Sequence, residues 1–386
     1  MNRLIQAVMI SVMAAPGVCA SPSDTTHLAD HLKSLRGIPW FSAAQHSAIE
    51  SEYMAWIDSR VKAGSGIERM NAELKAAGLF PNWPENSDVS GTVNEWYQNH
   101  AGRLEPIEAK KVRGADDVMA LGAGIYMGLG CSLDVTAMIY DRETLERVAH
   151  VNAAEPGSKY AYRVSGLDVG PDVSGGQRLI ATGWVISNCT STWNGKRVRI
   201  DRCGPASARP ILVRDLIAQD REPDVEDVAA RVEGDVVTFL YQGIAGDGAL
   251  LVTPSVLRYR VADNRITRVP PIALTRAGFI HEWLNIPEPD AIRWSEPSAM
   301  AARKAVAAEI KAHGFDWINI AVCSGPPEVW EVAVRMHQTS AVYVFRIRGS
   351  KATELKMMNV ARTPTPSCTS EDARDTLESI GRELPW

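Results

Sequence analysis

From about Lys110 onward, short runs of alternating apolar and polar residues follow one another, separated by Gly, Asp, Asn and Pro. This rhythm confines the chain to a mainly β fold. In the run 329–336, Trp330, Val332, Val334 and Met336 share one side and Glu331, Ala333 and Arg335 the other. A period of two is the mark of a strand with one buried face. Asn194-Gly195 and Asp247-Gly248 supply the positive φ that tight hairpins require.

The runs group into four antiparallel meander units. The first holds 134–140 and 147–152; the second 178–187, 196–202 and 210–214. The third holds 228–233, 236–242, 256–261 and 265–269; the fourth 317–322, 329–336, 341–348 and 353–360. Three units share a triplet: Arg197-Val198-Arg199, Arg258-Tyr259-Arg260 and Arg346-Ile347-Arg348, with Met138-Ile139-Tyr140 at the matching place in unit one. The triplet centres lie 59, 61 and 88 residues apart. The last gap is long because 275–314 is inserted, and the insert reads as helical: Thr275 caps one helix, and Pro297 opens another that runs to Gly314. Repeated meanders of this kind predict a propeller-like assembly; two β-sandwich domains are the alternative.

Ahead of the strands lies a helical segment. Ser42 is placed as an N-cap, and Ile49, Tyr53, Trp56, Ile57 and Val61 recur at helical spacing up to Gly64. A shorter helix follows, with Ile67, Met70 and Leu74 on one face. The expected organisation is a signal peptide over 1–20, helices and a loop over 21–105, meander units one to three over 106–270, the helical insertion over 271–316, and the fourth unit with a C-terminal tail over 317–386.

The signal reading rests on Arg3, the apolar run from Leu4 to Ala15, and Val18-Cys19-Ala20 before Ser21. It predicts export, to the periplasm or beyond, with no transmembrane segment after cleavage. The net charge of −5 argues against nucleic acid as the main partner. In an oxidising compartment Cys131, Cys189, Cys203, Cys323 and Cys368 would pair in part. Cys323 and Cys368 flank unit four and are expected to bridge. If Asn194-Gly195 is a two-residue turn, Cys189 and Cys203 fall out of register, so Cys131–Cys189 is the expected second bridge.

Chemistry-bearing motifs are sparse. His281-Glu282 is followed by Asn285, where a zinc-protease helix needs its second histidine. No Gly-x-Ser-x-Gly elbow occurs, and no resident cofactor or metal is expected. His27 and His31 stand one helical turn apart with Asp30 beside them, a pair that can hold a metal; two exposed histidines are the simpler account. In 188–195, Trp193 with Asn188 and Asn194 forms a possible ligand surface, and a rigid hairpin tip is the plainer reading. The arginine pairs, Arg258 and Arg260 among them, either meet carboxylates or line a groove for an anion. The expectation is an exported, non-catalytic binding or interaction protein of the bacterial envelope, its partner an unknown ligand or envelope protein. The alternative is an exported hydrolase whose carboxylates come from scattered loops.

Overall fold

The computed structural model describes residues 24–36, 38, 40–81, 101–127, 133–153, 161–172, 177–187, 193–204, 207–219, 228–244, 252–262, 265–323 and 328–370. The signal segment, Asn188 and the anticipated Cys131–Cys189 bridge lie outside these residues. The fold is mainly β with helices at its N-terminal end.

Three helices come first: α1 (Thr25–Ser34), α2 (Ala43–Lys62) and α3 (Ile67–Ala76). Asp24 caps α1 by accepting from Thr26 N at 3.1 Å. Ser42 and Gln45 form a reciprocal capping box on α2, an arrangement that stabilises a helix start by about 1 kcal/mol. Ile49, Tyr53, Trp56, Ile57 and Val61 are buried along one stripe of α2. With Leu28, Leu32, Met70 and Leu74 they form one core against the first sheet.

That sheet has eight strands. In chain order they are β1 (Glu108–Lys110), β2 (Val118–Tyr126), β3 (Leu133–Asp141), β4 (Arg147–Asn152), β5 (Ala161–Val169), β6 (Arg178–Ser187), β7 (Trp193–Gly204) and β8 (Ser207–Gln219). They pair consecutively, except that β4 is a side branch on β3 and β5 follows β3 in the sheet. A second, four-stranded sheet contains β9 (Ala229–Glu233), β10 (Val236–Ile244), β11 (Val252–Ala262) and β12 (Arg265–Arg268). The helical insertion follows as α4 (Arg276–Asn285), α5 (Glu288–Arg293) and α6 (Pro297–His313). Thr275 caps α4 by accepting from Gly278 N at 2.9 Å. The third sheet has five strands: β13 (Phe315–Cys323), β14 (Val329–Met336), β15 (Val342–Arg348), β16 (Lys356–Ala361) and β17 (Cys368–Ser370). One face of it buries Phe279, Trp283 and Val306 of the inserted helices against Val332, Val334 and Phe345.

The sheets are open, and propeller-like closure is absent among the described residues. Units one and two do not separate into blades, because β3 bridges β5 in parallel at Asp134↔Tyr162 and so joins both units in one sheet. The second sheet packs onto that one through a close approach. Gly166 and Gly183 are cross-strand partners on β5 and β6. A Cβ on Gly166 would stand 2.0 Å from Val228 O, and one on Gly183 2.5 Å from Val228 Cβ. Only glycine admits the backbone leading into β9 there. Asp168, wholly buried, fastens the same junction: its carboxylate accepts from Arg113 N, Gly114 N and Val232 N, each at 2.8 Å.

The anticipated Asn194-Gly195 turn is not one. β6 ends at Ser187 and β7 begins at Trp193, so Asn194 and Gly195 are strand residues, with Gly195 opposite Ile186. The connection is longer than two residues, which moves the register that the turn dipeptide implied.

Two of the predicted arginines close the free side of β4. Cys203 Sγ donates to Val148 O at 3.1 Å, Arg199 to Asn152 O at 2.6 Å and Arg197 to Ala153 O at 2.8 Å. Residues two apart on β7 share a face, so side chains from one face of β7 occupy carbonyls along the free side of β4. The sheet thereby curls around a core that includes Val135, Ile139, Val151, Val164 and Trp184. Burial pushes the Cys203 thiol up from its ordinary pKa, which keeps it a protonated donor.

Candidate functional site

The strongest concentration of titratable side chains lies under α2. β3 carries Asp134, Thr136, Met138 and Tyr140 on alternate positions, and these meet α2 or its core. β4, paired with β3 at Thr136↔Asn152, adds Asn152. From α2 come His46 and, one turn later, Glu50. His46 Nε2 lies 2.7 Å from Asp134 Oδ2 and 4.0 Å from Glu50 Oε2. Asn152 Nδ2 donates to Asp134 Oδ2 at 2.6 Å and to Glu50 Oε1 at 2.9 Å. The Thr136 hydroxyl donates to Glu50 Oε1 at 3.0 Å.

Burial works to lower the His46 pKa, but the hydrogen bond and charge of Asp134, with the charge of Glu50, more than reverse this and hold it above its ordinary 6.5. Burial pushes the Asp134 carboxyl above its ordinary 3.8, against the pull of His46 and Asn152. The pair therefore retains a proton between Nε2 and Oδ2 under conditions where each group alone would lose one. Asp134 Oδ1 is buried and has no hydrogen-bond partner among the described residues. His46 and Asp134 are each 3% exposed, so this pair is buried beneath the helix, while Glu50 is partly open to solvent.

Chemically this is an acid–base pair joined to a second carboxylate, able to take up and release a proton. Both raised groups give the same sign of linkage. Their contribution to stability is present at low pH and is lost as pH rises through the folded pKa values. Above pH 6.5, the ordinary imidazole value, the thermal midpoint of the wild type is expected to fall more steeply with pH than that of His46→Gln. Parallel slopes for the two proteins would refute this.

The site residues anticipated from sequence lie elsewhere. Cys323 and Cys368 form a disulfide, facing each other on β13 and β17. Glu331 brings its carboxylate near those sulfurs, with the three ligand atoms within 4.8 Å of one another. The sulfurs are bonded to each other, and Glu331 is engaged by Arg346 at 2.6 Å and by Thr365 N at 2.9 Å, so this group is not a metal centre. Trp193 and Asn194 pair with Gln219 and Ala218 of β8.

The arginine pairs have separate local partners. Arg197 meets Asp215 at 2.6 Å, Arg199 meets Asp201 at 2.7 Å, and Arg260 meets Asp235 at 3.1 Å. Arg348 reaches Glu296 at 3.4 Å, and Arg258 donates to Pro270 O at 2.7 Å. Sequence reasoning did not find His46, Glu50, Asp134 or Asn152. Their one signal was the placing of Asp134 and Thr136 on the same side of an otherwise apolar strand.

No protein-family model matches the chain, and no curated protein sequence matches it significantly.

Proposed function

We propose that the chain is an exported, non-catalytic binding or interaction protein of the bacterial envelope. The observation that supports this reading is the state of the cluster beneath α2. It holds the two carboxylates and the imidazole that a hydrolase would need, yet Asp134 and His46 are buried and spend their hydrogen bonds on one another, on Asn152 and on the helix–sheet contact. Acid–base chemistry placed there serves the seating of a helix. The leader-like segment 1–20 supports export.

Two measurements test the proposal together. Protein recovered from the host envelope should begin at Ser21. Immobilised mature protein should retain the same envelope component whether Asp134 is present or replaced by Asn, and neither form should turn over ester, glycoside or peptide substrates. Turnover by the wild type that Asp134→Asn abolishes would establish the hydrolase instead.

A further inference from the structure

Away from that cluster, the outer side of α1 and α2 gathers a second set of ligand-type side chains. His27 and His31 are one turn apart on α1 and so share a face. Leu28, Ala29 and Leu32 are buried beneath α1 and hold that helix in place. Glu52 rises from α2 between the two imidazoles. His27 Nδ1 lies 2.6 Å from Glu52 Oε1, and His31 Nδ1 lies 2.6 Å from Glu52 Oε2.

The nearby basic side chains are committed elsewhere. Arg60 pairs with Glu73 at 2.8 Å, and Lys33 reaches Asp30 at 3.8 Å. Glu52 thus presents one oxygen to each ring. The His27 side chain is 78% exposed, so the group opens to solvent.

We infer that His27, His31 and Glu52 form a binding site for a first-row divalent metal ion of the zinc type. Two imidazoles and one carboxylate are a donor set such ions favour, and an exposed flank leaves a further position for water. Ions of this class stand about 2.0–2.2 Å from nitrogen and oxygen ligands, which spaces neighbouring ligand atoms at about 3.3 Å. The cluster as it stands does not have this spacing: each imidazole–carboxylate contact is 2.6 Å, and the three ligand atoms do not all lie within 4.8 Å of one another. Binding requires the carboxylate to draw back while the rings close, movements of side chains on fixed helices. Each Nδ1–H moves to Nε2 by tautomerisation, so that the Nδ1 lone pair faces the ion. The ion then replaces the two hydrogen bonds that now join α1 to α2.

The test uses tag-free, chelator-stripped protein titrated with Zn²⁺ by calorimetry and with Co²⁺ by visible absorption. One equivalent is expected to bind. The Co²⁺ spectrum should show low-coordinate nitrogen and oxygen ligation without a thiolate charge-transfer band. His31→Ala and Glu52→Gln should each weaken Zn²⁺ binding by about tenfold or more. Glu52→Gln is nearly isosteric, so an unchanged circular dichroism spectrum separates loss of a ligand from loss of the helix pair. Failure of Zn²⁺ to saturate at one equivalent, or binding that survives both substitutions, would overturn the assignment and leave the cluster as a hydrogen-bonded clamp between helices.

Discussion

Glu282→Ala is expected to cost about 3–5 kcal/mol of stability, the range found when one partner is removed from a buried ionic group. Glu282 sits on α4, almost wholly buried, between two guanidiniums from different sheets. Its Oε1 accepts from Arg214 of β8 at 2.8 Å; its Oε2 accepts from Arg214 at 3.1 Å and from Arg268 of β12 at 3.2 Å. Arg268 is itself buried and also donates to Val256 O at 2.8 Å and Ile272 O at 3.0 Å. Without the carboxylate, the buried Arg268 is left with no counter-charge beside a second, partly exposed guanidinium, Arg214. The loss is therefore larger than the worth of the contacts. Replacing all three residues by apolar ones of similar volume should be milder than the single substitution, because no orphaned charge remains. Urea unfolding of the single and triple variants decides this. A change below about 1 kcal/mol for Glu282→Ala would mean that water reaches the arginines.

The pH dependence has a definite sign. Burial works to raise the Glu282 pKa, but Arg268 and Arg214 outweigh it and hold the carboxyl below its ordinary 4.5. A depressed carboxyl contributes stability above its unfolded value and loses it as pH falls through the folded one. Acid should therefore loosen the junction of α4 with the two sheets only below pH 4.5, the opposite direction from the cluster under α2.

Removing the Cys323–Cys368 bridge by double substitution to serine is expected to cost roughly 4 kcal/mol in the chain-entropy account of a 45-residue loop. The cost should be concentrated at the C-terminal edge of the third sheet. β17 meets β13 at only three register positions, Ala321↔Ser370, Val322↔Thr369 and Cys323↔Cys368, and the last of these is the bridge itself. The backbone ladder alone is too short to hold the strand. Urea unfolding with and without a dithiol reductant provides the measurement. The wild type should lose roughly 4 kcal/mol more stability on reduction than the double variant, in which the expected Cys131–Cys189 bridge remains open to the reductant. Equal sensitivity would place the effect at another cysteine.

Many strand positions were legible because they depend on alternation within a few residues; β2 and β5 were not, and on β2 nearly every residue is buried, so no exposed face marks the period. On β10, for example, Val237, Phe239 and Tyr241 are buried at alternate positions, with Tyr259 and Leu257 of β11 opposite the first two. The caps Ser42 and Thr275 and the breaker Gly314 likewise act locally, and the helices they bound appear where they predict. The partition into sheets was not legible. It turns on the Asp134↔Tyr162 bridge, on a glycine pair that admits Val228, and on an aspartate that collects amides from two distant segments. None of these has a period. The cluster beneath α2 was hidden for the same reason: His46 and Asp134 are 88 residues apart and Glu50 and Asn152 are 102 apart. Asp134 itself reads as a strand-initial polar residue. The arginine repeats were visible as a pattern but carried no common role, since the partners differ from unit to unit: a facing strand for Arg197, the same strand for Arg199 and a helix start for Arg348.

The seam between β4 and β7 bears on how the protein behaves when crowded. A strand with an unpaired side is a template for a strand from another molecule, and most β proteins blunt such sides with charge, proline or a bulge. Here the acceptors at Val148, Asn152 and Ala153 are held by a thiol and two guanidiniums from the same chain. Side chains carry no register of their own, so they satisfy the row without extending it, and a foreign strand must first displace them. Resistance of the folded protein to strand-mediated association thus rests partly on Arg197 and Arg199, and Arg199 is also the counter-charge of the wholly buried Asp201.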